Sequence, residues 1–466
     1  MQDTRLGTEP LNKLIFRMVL PAIMAQLINA LYNIVDRMFI GRIAGYGDLA
    51  LTGVGITFPI IIIITAFAAF AGSGGAPLAS RALGEQNNDR AQSILLNSVI
   101  LLIIFAISCM LFFYIFKKPL LYLFGASDNT YPYANEYISV YLMGTLFVQF
   151  SVGLNPFISG QGNAKIAMLS VCIGAIINLI LDPIFIFVLD FGVKGAGYAT
   201  IISQACSAIW VVRFLMSKKS VIRIEIHKLK LDPIIIKAIF ALGISPFILQ
   251  STNSLVNIVL NSSLEHYGGD LYVGAMAIMT SITTITFIPL DGLRQGMLPI
   301  LAYNYGAGNR ERLVSVIKKF LIISFTTGVI IIGFVLSYPR LFAILFTDNK
   351  GLADLTTYLI PIFFVGSILL GILLGVQGSL LAFGQAKKSI FIASLRKLIL
   401  LIPLALILPH FYGVMGVIYA QPIADVLSVT AAAVIFFTSI RKILDEMPVP
   451  AADDADDDNE DTAVVA

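Results

Sequence analysis

The chain has 466 residues, of which 58% are hydrophobic and only 13% charged, and a formal net charge of +3. That balance is too apolar for a water-soluble domain of ordinary composition and points to a lipid bilayer as the principal partner. So small a positive excess gives no reason to expect nucleic acid.

Met1 to Pro10 is polar and the first apolar run continues as a full span, so no cleavable signal is expected. Apolar runs then follow at 14–36, 49–72, 93–116, 137–159, 166–189, 193–216, 234–261, 271–299, 314–338, 355–383, 389–411 and 413–440. Each is long enough to cross a hydrocarbon core of about 30 Å at about 1.5 Å rise per residue. Stretches such as Ile60 to Ile64 lack the period-two alternation of a membrane β-barrel. The predicted fold class is an all-α polytopic membrane protein of twelve transmembrane helices in two six-helix bundles. The N-lobe covers 1–216 and the C-lobe 234–447.

Along the first span, Gln26, Asn29, Asn33 and Asp36 recur at spacings of three, four and three, which places them on one helix face. Pro21 lies early in that span, where a proline either kinks a helix or is tolerated near a frayed end. The fifth span carries Asn178 and Asp182 four residues apart on one face. Pro183 follows, weakening the backbone ladder and freeing a carbonyl. The sixth span opens on Gly195-Ala196-Gly197-Tyr198-Ala199, small enough for close helix approach, and then presents Thr200. Cys109, Cys172 and Cys206 each fall inside a span without metal spacing and read as small apolar fillers.

Between the lobes, 217–233 carries Lys218, Lys219, Arg223, His227, Lys228 and Lys230. Its alternation from Val221 to Ile226 would suit a strand, but a cytoplasmic linker lying on anionic headgroups is the better reading. The seventh span repeats the polar stripe as Gln250, Asn253 and Asn257. Asp291 and Arg294, three apart in the eighth span, are expected to neutralise one another. From 448 to 466 the chain is acidic without apolar periodicity and reads as a disordered tail.

These landmarks recur at a nearly constant offset of 222 residues. Gly47-Asp48-Leu49 returns as Gly269-Asp270-Leu271. Pro77, Gly84, Asn87 and Arg90 return as Pro299, Gly306, Asn309 and Arg312. Gly162-Asn163-Ala164-Lys165 returns as Gly384-Gln385-Ala386-Lys387, and Gly192-Val193 as Gly413-Val414 with one residue of slip. One structural unit has been duplicated. With the N-terminus inside, most Lys and Arg, with Arg396 and Lys397 counted among them, fall on the cytoplasmic side. Both termini are then cytoplasmic, in the inner (plasma) membrane. Six spans per unit give both repeats the same polarity, so a pseudo-two-fold axis must run along the membrane normal.

Ionisable groups within a span are costly and need a reason. Oxygen donors from Asp36, Asn178, Asp182 and Thr200 can meet as a proton site or as a hard-cation site suited to Na⁺. The alternatives are a structural role for Asp182 and an interface position beside Arg37 for Asp36. The polar stripes align at an offset of 224, which maps Asp36 to Leu260, and Asp182 maps to Leu404 or a leucine or isoleucine nearby, so the acidic pair belongs to the N-lobe alone. The two polar stripes would line the cleft between lobes, although amides can equally tie helices together within a lobe.

Several stretches resemble the MATE (multidrug and toxic compound extrusion) family, most closely its bacterial MepA-type and DinF-type branch. They are Val35-Asp36-Arg37-Met38-Phe39-Ile40-Gly41-Arg42, Asn178-Leu179-Ile180-Leu181-Asp182-Pro183 and Gly192-Val193-Lys194-Gly195-Ala196-Gly197-Tyr198-Ala199-Thr200. The resemblance runs from about Leu11 to Ile443. It implies a monomeric antiporter exporting lipophilic organic cations in exchange for H⁺ or Na⁺, with no other cofactor. It also implies a coupling site at Asp36, Asn178, Asp182 and Thr200, with bending at Pro21. The chain departs from the family pattern in the C-lobe, where no acidic pair is evident and Glu265 lies near an external loop. The rival is a lipid-linked precursor flippase of the same wider superfamily, which would need extra helices and several cations in its cavity. An enzyme would need a nucleophile set, metal motif or phosphate loop, and none is visible.

Overall fold

The computed structural model describes residues 5–347 and 349–448, with the side chain of Ser254 left out. The acidic tail expected from 448 on thus lies almost wholly outside the described residues. Every regular element among the described residues is helical, as buried backbone in a bilayer requires.

Ten helices are long and apolar enough to span, and two bent pairs bring the number to twelve. The first three spans are Leu11–Gly41, Gly47–Gly84 and Asn88–Leu123. The fourth is Tyr131–Met143 with Thr145–Gly160. The fifth is Ala164–Pro183, prolonged by a π-helical turn at Ile184–Val188, and the sixth is Gly192–Met216. In the C-lobe, the seventh to ninth are Pro233–Gly268, Asp270–Gly306 and Arg310–Ser337. The tenth is Lys350–Phe364 with Gly366–Ala382, the eleventh Ala386–Tyr412 and the twelfth Val414–Asp445.

The duplicated landmarks now have physical causes. Asn87 and Asn309 cap the third and ninth spans, their side-chain oxygens accepting from Arg90 N at 2.9 Å and Arg312 N at 3.0 Å. Gly162 and Gly384 turn the chain at φ of +86° and +73°, and Gly192 and Gly413 at +53° and +55°, all conformations that favour glycine. A further repeat lies at the breaks. The fourth span bends by 61° at Gly144 and the tenth by 42° just before Gly366, the same offset of 222. A Cβ on Gly144 would sit 2.3 Å from the Ile201 side chain, and one on Gly366 would sit 2.7 Å from Pro422 Cα. Each break therefore lets the last span of its own lobe pack close.

Between lobes, the contacts obey the two-fold relation. The first span packs on the eighth and the seventh on the second. A Cβ on Gly84 would lie 2.1 Å from the Tyr303 carbonyl oxygen, and one on Gly306 would lie 2.0 Å from that of Arg81. Both pairs are related by the offset of 222, so this reciprocal contact marks the axis. Phe70 and Phe240 (centroids 4.8 Å apart), Phe67 and Phe247 (5.2 Å), Gly74 beside Gly243, and Gly296 beside Val19 extend the seam. All of them lie in the halves of these spans nearer the chain termini.

Gly84→Ala is expected to force this seam apart, because the obstructing atom is backbone and cannot rotate away. Spin labels at the exposed positions Asp89 and Glu311 report the separation. A shift to longer distances is expected, and an unchanged distribution would contradict the close packing.

The stretch between the lobes is strapped to the N-lobe. Gln161 Oε1 accepts from Val221 N at 2.8 Å and Ser220 Oγ at 3.0 Å, and Asn97 binds Lys230 O and Asp232 N. Ile222 and Ile224 are buried while Arg223 and Glu225 are more exposed, so the alternation belongs to an extended strap rather than to a paired strand. Its apolar side faces protein, which leaves the basic side chains outward.

Candidate functional site

Two spans, the first and the fifth, bring Asp36, Asn178 and Asp182 together. Asn178 Nδ2 donates to Asp182 Oδ1 at 3.1 Å within the fifth span. Both side chains are buried, Asp182 completely. Asp36 reaches them from the first span, which packs along the fifth, and its carboxyl group meets that of Asp182 directly. One oxygen of each, Asp36 Oδ1 and Asp182 Oδ2, is buried without a hydrogen-bond partner. Arg37, the next residue, acts on Asp36 through its charge but makes no ion pair with it, its guanidinium lying over the Phe58 ring, 4.2 Å from the centroid. Two carboxylates in contact without a basic partner repel strongly in a low dielectric. A proton or a small cation between them removes that cost, and Asn178 holds Asp182 in place for it.

Thr200 is also buried, its hydroxyl donating to Ala196 O at 2.9 Å, and its one link to the acids among the described residues is through Tyr137. Three tyrosines absent from the sequence reading complete the surroundings. Asp36 and Asp182 act on Tyr32, one turn before Asp36, and Asp36 and Thr200 act on Tyr137. Tyr141 stacks on Tyr137 at 6.2 Å. Tyr32 shares the Asp36 face at a spacing of four, so its part was legible in principle. The tyrosines of the fourth span carried no such signal.

The polar stripes divide in use. Asn29, Asn253 and Asn257 are exposed, while Gln26, Asn33 and Gln250 are half-buried. Asn33 Nδ2 returns to its own helix at Asn29 O, 2.6 Å away. Gln250 Nε2 crosses between lobes to Thr65 Oγ1 at 3.0 Å. Pro21 is buried in an unbroken helix from Leu11 to Gly41; it cannot donate to the Arg17 carbonyl, so the ladder is weakest there.

The C-lobe departs from the sequence reading. Arg396 and Lys397, counted as cytoplasmic, lie inside the eleventh span in a π-helical stretch at Leu395–Leu401. Arg396 Nε donates to Asp425 Oδ1 of the twelfth span at 2.7 Å, and Ser367 Oγ donates to Asp425 Oδ2 at 2.8 Å. Asp425 is therefore a fully buried C-lobe acid that the sequence reading missed, but one already neutralised. Arg294 Nη2 meets Asp291 at 3.0 Å, as their spacing implied. Lys397 Nζ donates to Asn253 Oδ1 and, at 3.2 Å, to Leu249 O. The spans thus contain more Lys and Arg than the sequence reading allowed.

With this geometry in hand, known proteins can be compared. The family model described as MatE matches twice, at residues 21–184 and 246–407. The multidrug export protein MepA of Staphylococcus aureus (strain NCTC 8325 / PS 47) is 26% identical over 434 residues, covering 92% of this chain and 94% of that protein. One of the same description from Staphylococcus saprophyticus subsp. saprophyticus is 24% identical over 429 residues, covering 90% and 91%. A crystal structure of MATE in the bent conformation superposes with a TM-score of 0.87 at 25% identity, covering 93% of this chain and 96% of that one. An outward-facing multidrug resistance MATE family transporter matches in fold at 0.88, with 24% identity over 95% and 99%. The double match coincides with the two lobes built above, and the chain belongs to the MatE family.

Proposed function

We propose that this membrane protein is a secondary active multidrug efflux antiporter that exports lipophilic organic cations in exchange for H⁺ or Na⁺. The carrying observation is the Asp36–Asp182 contact, with a buried unpartnered oxygen on each side chain and no ion pair to either carboxylate among the described residues. Such a pair accepts a cation from water and releases it when a conformational change alters its surroundings. Alternating access then requires the lobes to part at the seam around Gly84 and Gly306 and close on the opposite side. The weakened ladder at Pro21 gives the first span a place to bend as Asp36 gains or loses its ion. The MepA relatives are named as multidrug export proteins, which supports drug-like substrates. On this reading the protein works as a monomer in the plasma membrane with both termini cytoplasmic.

Protons are the favoured coupling ion. The cluster offers two acids, one amide and one hydroxyl, whereas hard cations of this kind prefer about six oxygen ligands. Backbone carbonyls near Pro183 could supply the remainder for Na⁺. Inverted vesicles loaded by an imposed pH gradient in sodium-free buffer distinguish the two. Ethidium uptake driven by the gradient alone supports protons, and uptake that waits for added sodium overturns the proton assignment.

The flippase reading requires several cavity cations. Asp291 and Asp425 neutralise Arg294 and Arg396, and Arg37 lies over the Phe58 ring near the end of its span, which leaves Lys397 as a mid-span cation with no carboxylate in ion-pair reach among the described residues. One such cation is a poor match for a pyrophosphate, and efflux remains the better account.

A further inference from the structure

Lys397 has no part in the N-lobe ion site, yet an ammonium in mid-span demands a reason. It sits in a π-helical stretch, a distortion that recurs at functional sites. Its partners are an amide oxygen and a backbone carbonyl, both of the seventh span, which use two of its three donors. Arg396 beside it is committed to Asp425, and Asp291 is paired to Arg294. Lys397 is half-buried and its partner Asn253 is exposed, so the third donor has access to the space beside the seventh span.

The duplication says what that space is. The N-lobe site is built where the first span packs on the fifth, and its counterpart is where the seventh packs on the eleventh. At the offset of 224 that aligns the two polar stripes Asn253 stands at the place of Asn29, and at 222 Asn178 maps to Leu400, in the same π-helical stretch as Lys397. Asp36 and Asp182 are leucine in the second copy. The region that holds acids in one lobe thus holds, in the other, a cation with no carboxylate in ion-pair reach among the described residues.

We propose that Lys397, held by Asn253 and Leu249 O, forms a C-lobe subsite for an anionic group, a carboxylate above all, on zwitterionic substrates whose cationic end faces the N-lobe. The proposal rests on the efflux reading and deepens it. An ammonium is a compact donor that suits a carboxylate without demanding bidentate geometry.

The test uses the full chain in proteoliposomes, with a piperazinyl quinolone carboxylic acid as zwitterion and its ethyl ester as plain cation. Lys397→Gln is expected to lower transport of the acid by at least about tenfold relative to the ester. Lys397→Arg, which keeps the charge, should retain most of the preference. Equal losses on both substrates, or no loss on the acid, would overturn the subsite. Vesicles with and without phosphatidylglycerol separate substrate from lipid, because an effect confined to anionic vesicles assigns the ammonium to a headgroup and defeats the proposal. If the wild-type protein moves neither compound, the efflux reading fails by itself. Quinolone fluorescence on the purified protein then decides the subsite: about tenfold weaker binding of the acid to Lys397→Gln supports it, and equal binding overturns it.

Discussion

Asp36→Asn and Asp182→Asn should each reduce ethidium clearance from cells to background, a loss on the order of 100-fold, at the upper end of measured coupling between sites. The reason is specific to this geometry. Asn keeps the size of the side chain and can donate to the neighbouring carboxyl, but it cannot take up or release a proton or hold a bound cation at full charge. Stability should not suffer, because the amide can donate to the neighbouring carboxyl at an oxygen that lacks a partner and so takes over the tie that the shared proton makes. Thermal unfolding of the purified variants should therefore match or exceed that of the wild type while transport is lost. Clearance at the wild-type rate in either variant would show that its residue is not the coupling group.

The opposite pattern is expected at Asp425. It is completely buried and accepts from Arg396 at 2.7 Å and Ser367 at 2.8 Å. Asp425→Leu strands a guanidinium among apolar residues, which costs about 3–5 kcal/mol when one member of a buried pair is removed. Arg396 is further held over the Phe287 ring, so it has little freedom to turn toward water. Melting in detergent should drop sharply and expression should fall. The double variant Asp425→Leu with Arg396→Met removes both charges and should recover most of the loss. If the single variant melts like the wild type, the pair is not the structural tie described here.

The membrane-spanning architecture was legible because apolar runs of this length have one physical solution in a bilayer. The duplication was legible because its landmarks are caps and turns such as Asn87, Gly162 and Gly192, whose residue types are dictated by backbone geometry. The Asn178–Asp182 face and the Asp36 stripe followed from helical spacing alone. Pairings between spans were not legible. Arg396 and Asp425 are 29 residues apart on separate helices, and nothing local to either announces the other. The positive-inside count places Arg396 and Lys397 in the cytoplasm, although the apolar run 389–411 contains both. The π-helical stretch that carries them inward has no residue signature. The linker misled in a milder way: its alternation signalled an extended chain, but only the structure shows that Gln161 and Asn97, rather than another strand, satisfy its backbone.

Competition between proton and drug is the central claim, and proton release on drug binding measures it most directly. Purified protein in weakly buffered, sodium-free detergent solution is mixed with tetraphenylphosphonium, and a pH indicator reports the protons set free. On the proposed reading the Asp36–Asp182 pair holds one proton between two carboxyls, so the wild-type protein should release about one proton per bound cation. Asp36→Asn should bind the compound and release none. Stoichiometric drug binding by the wild-type protein with no proton release, or equal release from Asp36→Asn, would contradict the account.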